Sequence, residues 1–274
     1  MRDAWIASIV LIFETSPLPA SFYFMSSEKV RILLTNDDGY HSEGIVALEN
    51  ALRSIGDIFV VAPASEMSGA SHSLTLSRPL RIRQIDERHW TVDGTPTDCV
   101  TLALNRILPP EQRPHLCASG INHGANLGDD ATYSGTVAGA LESTILGVPG
   151  LAFSLAVSRN QDFTESAKIA KQMVSKAINE GLPEGTLLNI NVPKGEPKGI
   201  RVTKQGFKNA RPVISEHLDP RGKLYYWIGE ERSGFHAEGG TDFEAIDEGF
   251  VSVTPMRSDL TNHRAIELLQ SWNS

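Results

Sequence analysis

Three segments of the chain combine oxygen-bearing side chains with glycines at spacings suited to phosphate and metal chemistry. The first, Asn36-Asp37-Asp38-Gly39, follows a short apolar run ending at Thr35, where a dinucleotide-binding protein would carry its glycine-rich turn. Two adjacent carboxylates there repel a pyrophosphate unless a cation intervenes, so a hard divalent metal is their natural partner. The competing reading is an acidic lead-in to a helix, favoured by the helix dipole. The second segment, Ser68-Gly69-Ala70-Ser71-His72-Ser73, offers hydroxyls and backbone N–H groups to an oxyanion or a metal shell, or is simply a serine-rich turn. In the third, Gly120, Asn122, Gly124, Asn126 and Gly128 alternate, Asp129 and Asp130 follow, and Ser134-Gly135-Thr136 opens a helix. A phosphate at that helix N-terminus meets unpaired N–H groups and the positive end of the dipole. Together the three loops describe a mononucleotide-sized phosphate site with a divalent metal.

The elements that must position these loops are legible in the hydrophobic pattern. Arg31 to Thr35 reads as a buried strand, and Ile45, Leu48, Leu52 and Ile55 recur at helical spacing. Gly56 then sits where a helix C′ glycine is expected, and the β-branched run from Ile58 is a second strand. Strand, helix and strand this close make a right-handed crossover with parallel strands, the opening of a doubly wound sheet. Arg78–Gln84 and Arg88–Gly94 read as an inserted antiparallel pair. Thr95, Pro96 and Asp98 form an N-cap, a first-turn proline and a third-position carboxylate, starting a helix. His115–Ser119 is read as a buried strand, Thr136–Gly147 as a helix, Gly150–Ala156 as a strand, Phe163–Glu180 as a helix, and Leu187–Pro193 as a further strand. Beyond Pro193 the texture is β-rich, closing on a helix near His263, as an appendage or an arm that packs on another subunit.

Composition bounds the rest. The chain has 274 residues, 41% hydrophobic and 21% charged, which is the make-up of a folded globule and excludes disorder as the main state. Its formal charge of −8 argues against a broad basic surface for a nucleic-acid duplex, so a phosphate ligand must be held by local devices. Cys99 and Cys117 are too few for a disulfide framework or a zinc site and fit a reduced, cytoplasmic setting. The apolar stretch Ala4–Phe13 is too short to span a bilayer, and Asp3 beside Arg2 spoils the basic start of a signal peptide. Residues 1–28 are therefore read as an extension, disordered or ahead of a true start at Met25, with one α/β domain from residue 29 to residue 274.

Several blocks, in order, also carry a resemblance. Residues 31–39 (RILLTNDDG), 68–76 (SGASHSLTL), 94–100 (GTPTDCV), 119–142 (SGINHGANLGDDATYSGTVAGALE), 219–229 (DPRGKLYYWIG) and 240–255 (GTDFEAIDEGFVSVTP) resemble the SurE family of stationary-phase survival proteins, which are metal-dependent nucleotidases. The resemblance is co-linear over about residues 30–272. It implies a Rossmann-like three-layer parallel-sheet core with the inserted β-hairpin, and a C-terminal β-rich arm, about residues 200–274, exchanged between subunits of a dimer or tetramer. It implies hydrolysis of nucleoside 5′-monophosphates, and of 3′-monophosphates, to nucleoside and phosphate by a metal-activated water. Carried over by motif, Asp37, Asp38, Ser68 and Asn122 would hold one divalent ion per subunit, Mg²⁺ or Mn²⁺. Asn126, Ser134, Gly135 and Thr136 would hold the phosphate, with Asp37, Asp38 and Asn126 taking part in catalysis.

The chain departs from the family pattern at several points. Glu66-Met67 stands where a basic residue commonly precedes SGAS, which puts any contact of that residue with substrate in doubt. His72 stands where asparagine is common, and His123 follows Asn122; each is read as a solvent-exposed loop histidine. Asp259 and His263 resemble a DLTxH segment and are read as structural.

Other phosphate-handling classes make demands this chain does not meet. A receiver-like, phospho-switched binding module also places an acidic pair after its first strand, and is the alternative. It needs an aspartate ending the third strand and a lysine after the fifth, where this chain has Cys117-Ala118-Ser119-Gly120 and no lysine directly after Ala156. A dehalogenase-type phosphatase needs a DxD nucleophile, a spacing Asp37-Asp38-Gly39 lacks.

Overall fold

The computed structural model describes residues 29–156, 162–208, 212–230 and 239–272, so the extension 1–28 lies outside the described residues. Strand β1 (Val30–Thr35), helix α1 (Glu43–Leu52) and strand β2 (Gly56–Pro63) form the expected unit, with Ile32 opposite Ile58 in parallel register. Strands β3 (Ile82–Gln84) and β4 (His89–Val92) are antiparallel, and β4 also pairs parallel to β2, so the inserted hairpin extends the main sheet. Helix α2 (Pro96–Leu102) begins with the reciprocal cap read from the sequence: Thr95 Oγ1 accepts from the Asp98 N–H, and Asp98 accepts from the Thr95 N–H.

Strand β5 (Leu116–His123), helix α3 (Gly135–Ile145), strand β6 (Gly150–Leu155), helix α4 (Thr164–Glu180) and strand β7 (Leu187–Val192) continue the alternation. Then come β8 (Ile200–Val202), the hairpin β9 (Pro212–Leu218) and β10 (Leu224–Glu230), α5 (Asp242–Asp247), β11 (Val251–Met256) and α6 (His263–Leu269). Among the described residues the main sheet has nine strands in the order β3-β4-β2-β1-β5-β6-β7-β11-β8. β11 runs antiparallel to β7 and parallel to β8, so these two C-terminal strands widen the core sheet, while β9–β10 form a separate ribbon.

The alternation of side chains along β1 builds the three layers. Ile32 and Leu34 face α1 and α4, packing with Ile45, Leu48, Leu52, Met173 and Val174. Leu33 faces the opposite way, against Val61, Cys99, Val100 and Leu104. Leu33, Leu34 and Leu48 are fully buried, and truncating any of them to alanine costs about 2–5 kcal/mol. Helix α1 lies close to the sheet at Gly44, where a Cβ would come within 2.0 Å of the Ile121 carbonyl oxygen. The sequence reading of Gly56 as the helix C′ residue is corrected: α1 ends at Leu52, and Gly56 opens β2. Its lack of a side chain matters there because a Cβ would stand 2.2 Å from the Val30 carbonyl oxygen.

Chain order reverses at β1, which has β2 on one flank and β5 on the other. In an open α/β sheet that reversal opens a crevice outside the carboxyl ends of the strands. The loops after β1 and β5 meet there. Among the described residues no helix is long and apolar enough to cross a membrane.

Candidate active site

The loop leaving β1 is shaped by Asn36, whose buried Nδ2 donates to the Gly39 carbonyl (2.9 Å) and to Ser42 Oγ (2.8 Å). These bonds fold the acidic pair back over the sheet edge, and Gly39, at φ +95°, provides the left-handed turn before α1. Asn36 Oδ1 is buried with no protein partner.

Asp37 is buried and sits against the first turn of α3. Its Oδ1 accepts from the Thr136 hydroxyl, and a Cβ on Gly135 would fall 2.7 Å from the Asp37 Cβ. Burial pushes the Asp37 carboxyl up to about 6; the Thr136 hydroxyl opposes the rise and the neighbouring Asp38 charge adds to it. Asp38 is more open, and its Oδ2 accepts the His123 N–H at 3.2 Å. Its pKa is raised too, first by burial, then against the pull of the His123 N–H and with the charge of Glu66 adding to it. Both carboxylates are thus placed where a bound cation would relieve them.

The serine-rich loop is drawn to the same place. The Met67 N–H donates to the Asp37 carbonyl (2.7 Å), which puts Ser68 one residue beyond that contact. Ser68 is exposed, and its Oγ donates to Glu66 Oε1 at 2.8 Å. Ser71, at φ +54°, bonds through its N–H to the Tyr133 carbonyl (3.0 Å) and through Oγ to the Thr132 carbonyl (2.6 Å), tying this loop to the lead-in of α3. His72 was read as a solvent-exposed loop histidine. It is exposed, and its Nε2 lies 2.8 Å from Glu142 Oε2 on α3, a partner the sequence did not announce.

The third segment differs from its sequence reading. Residues 120–123, taken from their glycine and asparagine as loop, belong to β5, which pairs with β6 as far as His123 opposite Leu155, with an irregular register between Ser119 and Asn122. Asn122 therefore stands at the strand end; its Nδ2 donates to the Gly124 carbonyl (2.9 Å), leaving the amide oxygen as its acceptor. Asn126 is buried and held from three sides. Its Nδ2 donates to Ser154 Oγ (2.8 Å), its N–H to Asn191 Oδ1 (2.8 Å), and its carbonyl accepts from Asn189 and Asn191. Sequence reasoning passed over Asn189, Asn191 and Ser154. The signal was there in two asparagines alternating within an apolar strand, since a buried amide demands a partner.

Helix α3 begins as expected, with Ser134 Oγ accepting the Val137 N–H (3.1 Å). The hydroxyl of Thr136, a residue the resemblance assigns to phosphate, donates to Asp37 Oδ1. Among the described residues no group of three or more His, Cys, Asp or Glu side chains is placed to hold a metal. A cation site here would consist of two carboxylates completed by neutral oxygens, and such an all-oxygen set suits a hard divalent ion. Cys99 and Cys117 are both buried and free, and burial pushes the Cys117 thiol up to about 12, so neither is a nucleophile.

The fold and these loops define an α/β protein with an acidic, oxygen-lined site facing a helix N-terminus at the switch point of its sheet. A family profile described as Survival protein SurE matches residues 32–212. A 5′-nucleotidase SurE of Aquifex aeolicus is 50% identical over 242 residues, covering 87% of this chain and 96% of that protein. One of Vibrio campbellii is 47% identical over 250 residues, covering 90% of this chain and 96% of that protein. The crystal structure of the SurE protein from Aquifex aeolicus aligns with a TM-score of 0.80 at 49% identity, covering 89% of this chain and all of that one. The chain belongs to the SurE family.

Proposed function

We propose that the chain is a divalent-metal-dependent 5′-nucleotidase that hydrolyses nucleoside 5′-monophosphates, and also 3′-monophosphates, to nucleoside and phosphate. The observation that carries this reading is the pair Asp37 and Asp38, held at the switch point of the sheet against the N-terminus of α3. Relatives named 5′-nucleotidase SurE, nearly half identical over most of the chain, support it.

Asp37 and Asp38 would hold one ion, Mg²⁺ or Mn²⁺, per subunit, joined by the Ser68 hydroxyl and the Asn122 amide oxygen. The donor set fits: all are oxygens, and two carboxylates raised by burial gain from a cation. When bound, such an ion supplies Lewis-acid polarisation of a phosphoryl oxygen and a site for an attacking water. The protein's own groups do the rest. The first-turn N–H groups of α3, from Ser134 to Thr136, cradle the phosphate and favour the charge that grows on it. Asn126 offers its second amide hydrogen, the first being bound to Ser154. Thr136 contributes its backbone, because its hydroxyl orients Asp37.

With Asp37 and Asp38 assigned to the ion and both cysteines buried, water attacks phosphorus directly. Single-turnover hydrolysis in ¹⁸O-water then places the label in inorganic phosphate; a trapped phospho-aspartate would overturn this mechanism.

The C-terminal β-rich segment mediates self-association into a dimer or tetramer. Supporting this, the β9–β10 ribbon exposes Ile214, Tyr226, Trp227 and Ile228, and α6 exposes Leu268. Sedimentation equilibrium tests it, and a monomer at micromolar concentration would refute it. We place the enzyme in the cytoplasm, in keeping with two buried free thiols, with neither a membrane nor a nucleic-acid duplex as partner.

A further inference from the structure

The glycine-rich turn that carries Asn126 is held by a carboxylate from far along the chain. Asp242, the first residue of α5, is fully buried. Its Oδ2 accepts the Gly128 N–H at 2.8 Å, and its Oδ1 accepts the Gly206 N–H at 2.9 Å and the Phe243 N–H at 2.9 Å. One carboxylate, 114 residues from Gly128 in sequence, thus bridges the turn after β5 to the segment after β8. The same segment reaches Gly128 a second time, through Gln205 Nε2 to the Gly128 carbonyl at 2.9 Å. The Phe243 ring fills the space where a Cβ on Gly128 would stand, only 2.5 Å from its Cε2, and Gly128 itself lies at φ +51°.

We propose that Asp242 is a positioning residue for phosphate-ester hydrolysis, acting through Gly128 to fix Asn126. This rests on the reading of Asn126 as a phosphate contact given above. One residue, Leu127, separates Asn126 from the bridged Gly128 N–H, and Asn126 has its own bonds to β6 and β7. The turn is therefore clamped at both ends, against the sheet by Asn191 and against the C-terminal segment by Asp242. A buried carboxylate accepting backbone N–H groups makes stronger bonds than a neutral acceptor, and replacing one oxygen by NH₂ turns one of them into a donor facing a donor. In Asp242→Asn the oxygen can stay with Gly206 and Phe243, which share Oδ1, so the amide NH₂ falls opposite Gly128 and releases that end of the turn.

The test compares wild type, Asp242→Asn and the milder Gln205→Met by steady-state hydrolysis of a nucleoside 5′-monophosphate with Mn²⁺, and by amide hydrogen exchange. Faster exchange confined to residues 124–133, with residues 36–39 unchanged, is expected, together with a kcat lower by about tenfold and KM within about threefold. Gln205→Met should move both quantities the same way by less. Local exchange and kcat both unchanged in Asp242→Asn, or exchange rising uniformly across the chain with kcat unchanged, would overturn the assignment. Wild-type protein that hydrolyses no nucleotide would instead overturn the underlying reading, a failure visible before any variant is compared.

Discussion

The Thr136 hydroxyl donates to Oδ1 of Asp37, joining the first turn of α3 to the loop after β1 across 99 residues of chain. The group that opens the candidate phosphate site therefore also sets the candidate metal ligand. Replacing Thr136 by valine keeps the volume and removes the donor, so the buried carboxylate loses its main compensation. We expect half-maximal activation to require about tenfold more Mn²⁺, a loss near 1.4 kcal/mol, with serine at 136 restoring most of it. A metal titration of activity checks this.

Gly135 makes a separate demand. An alanine Cβ there would stand 2.9 Å from Asp37 Oδ2, in the space of the carboxylate itself. Gly135→Ala should fold, because the position is an ordinary first-turn residue, yet lose activity by about a hundredfold as Asp37 is displaced. Circular dichroism and turnover, measured on the same sample, separate the two effects.

Asn191, fully buried, should matter through what it holds. Replacing it with leucine leaves the buried Asn126 N–H without its acceptor, a loss of about 1–3 kcal/mol. Urea unfolding should show that decrease, and turnover should fall with it because Asn126 is no longer fixed.

Glu142 gives a pH dependence away from the metal. Burial raises its pKa, but hydrogen bonds from His72 and the Thr101 hydroxyl outweigh that and hold it below the ordinary carboxylate value of 4.5. The folded state thus binds this proton less tightly than the unfolded chain. The contribution is fully present above the unfolded value and is lost as pH falls through the folded one. The stability gap between wild type and Glu142→Gln should accordingly be widest near neutrality and close in acid. A gap that widens on acidification would contradict the assignment, and urea midpoints from pH 7 downwards measure it.

What the sequence made legible was local. The apolar run of β1, the capping box at Thr95 and Asp98, and the Ser134 cap each depend on residues within a turn or two, and each formed as read. Pairing beyond neighbouring elements was not legible. Gly120 to His123 has the composition of a loop and is strand beside β6. β8 and β11 carry ordinary strand patterns, and nothing in them distinguishes the main sheet from a separate arm. At the site, residue types announced Asp37, Asp38 and Asn122, whereas the partners of Asn126 and the bridge made by Asp242 required the fold to bring them together. His72 illustrates the same limit, since its partner Glu142 is 70 residues away.

The central claim is that Asp37 and Asp38 serve a divalent ion in phosphomonoester hydrolysis. It is tested most directly by phosphate release from a nucleoside 5′-monophosphate, before and after EDTA and again with Mn²⁺ or Mg²⁺ restored, for wild type and Asp38→Asn. The account predicts that EDTA abolishes wild-type turnover and the metal restores it. Asp38→Asn should remain at least about a hundredfold slower at saturating metal. Turnover that persists in EDTA, or an Asp38→Asn enzyme as active as wild type, would contradict it.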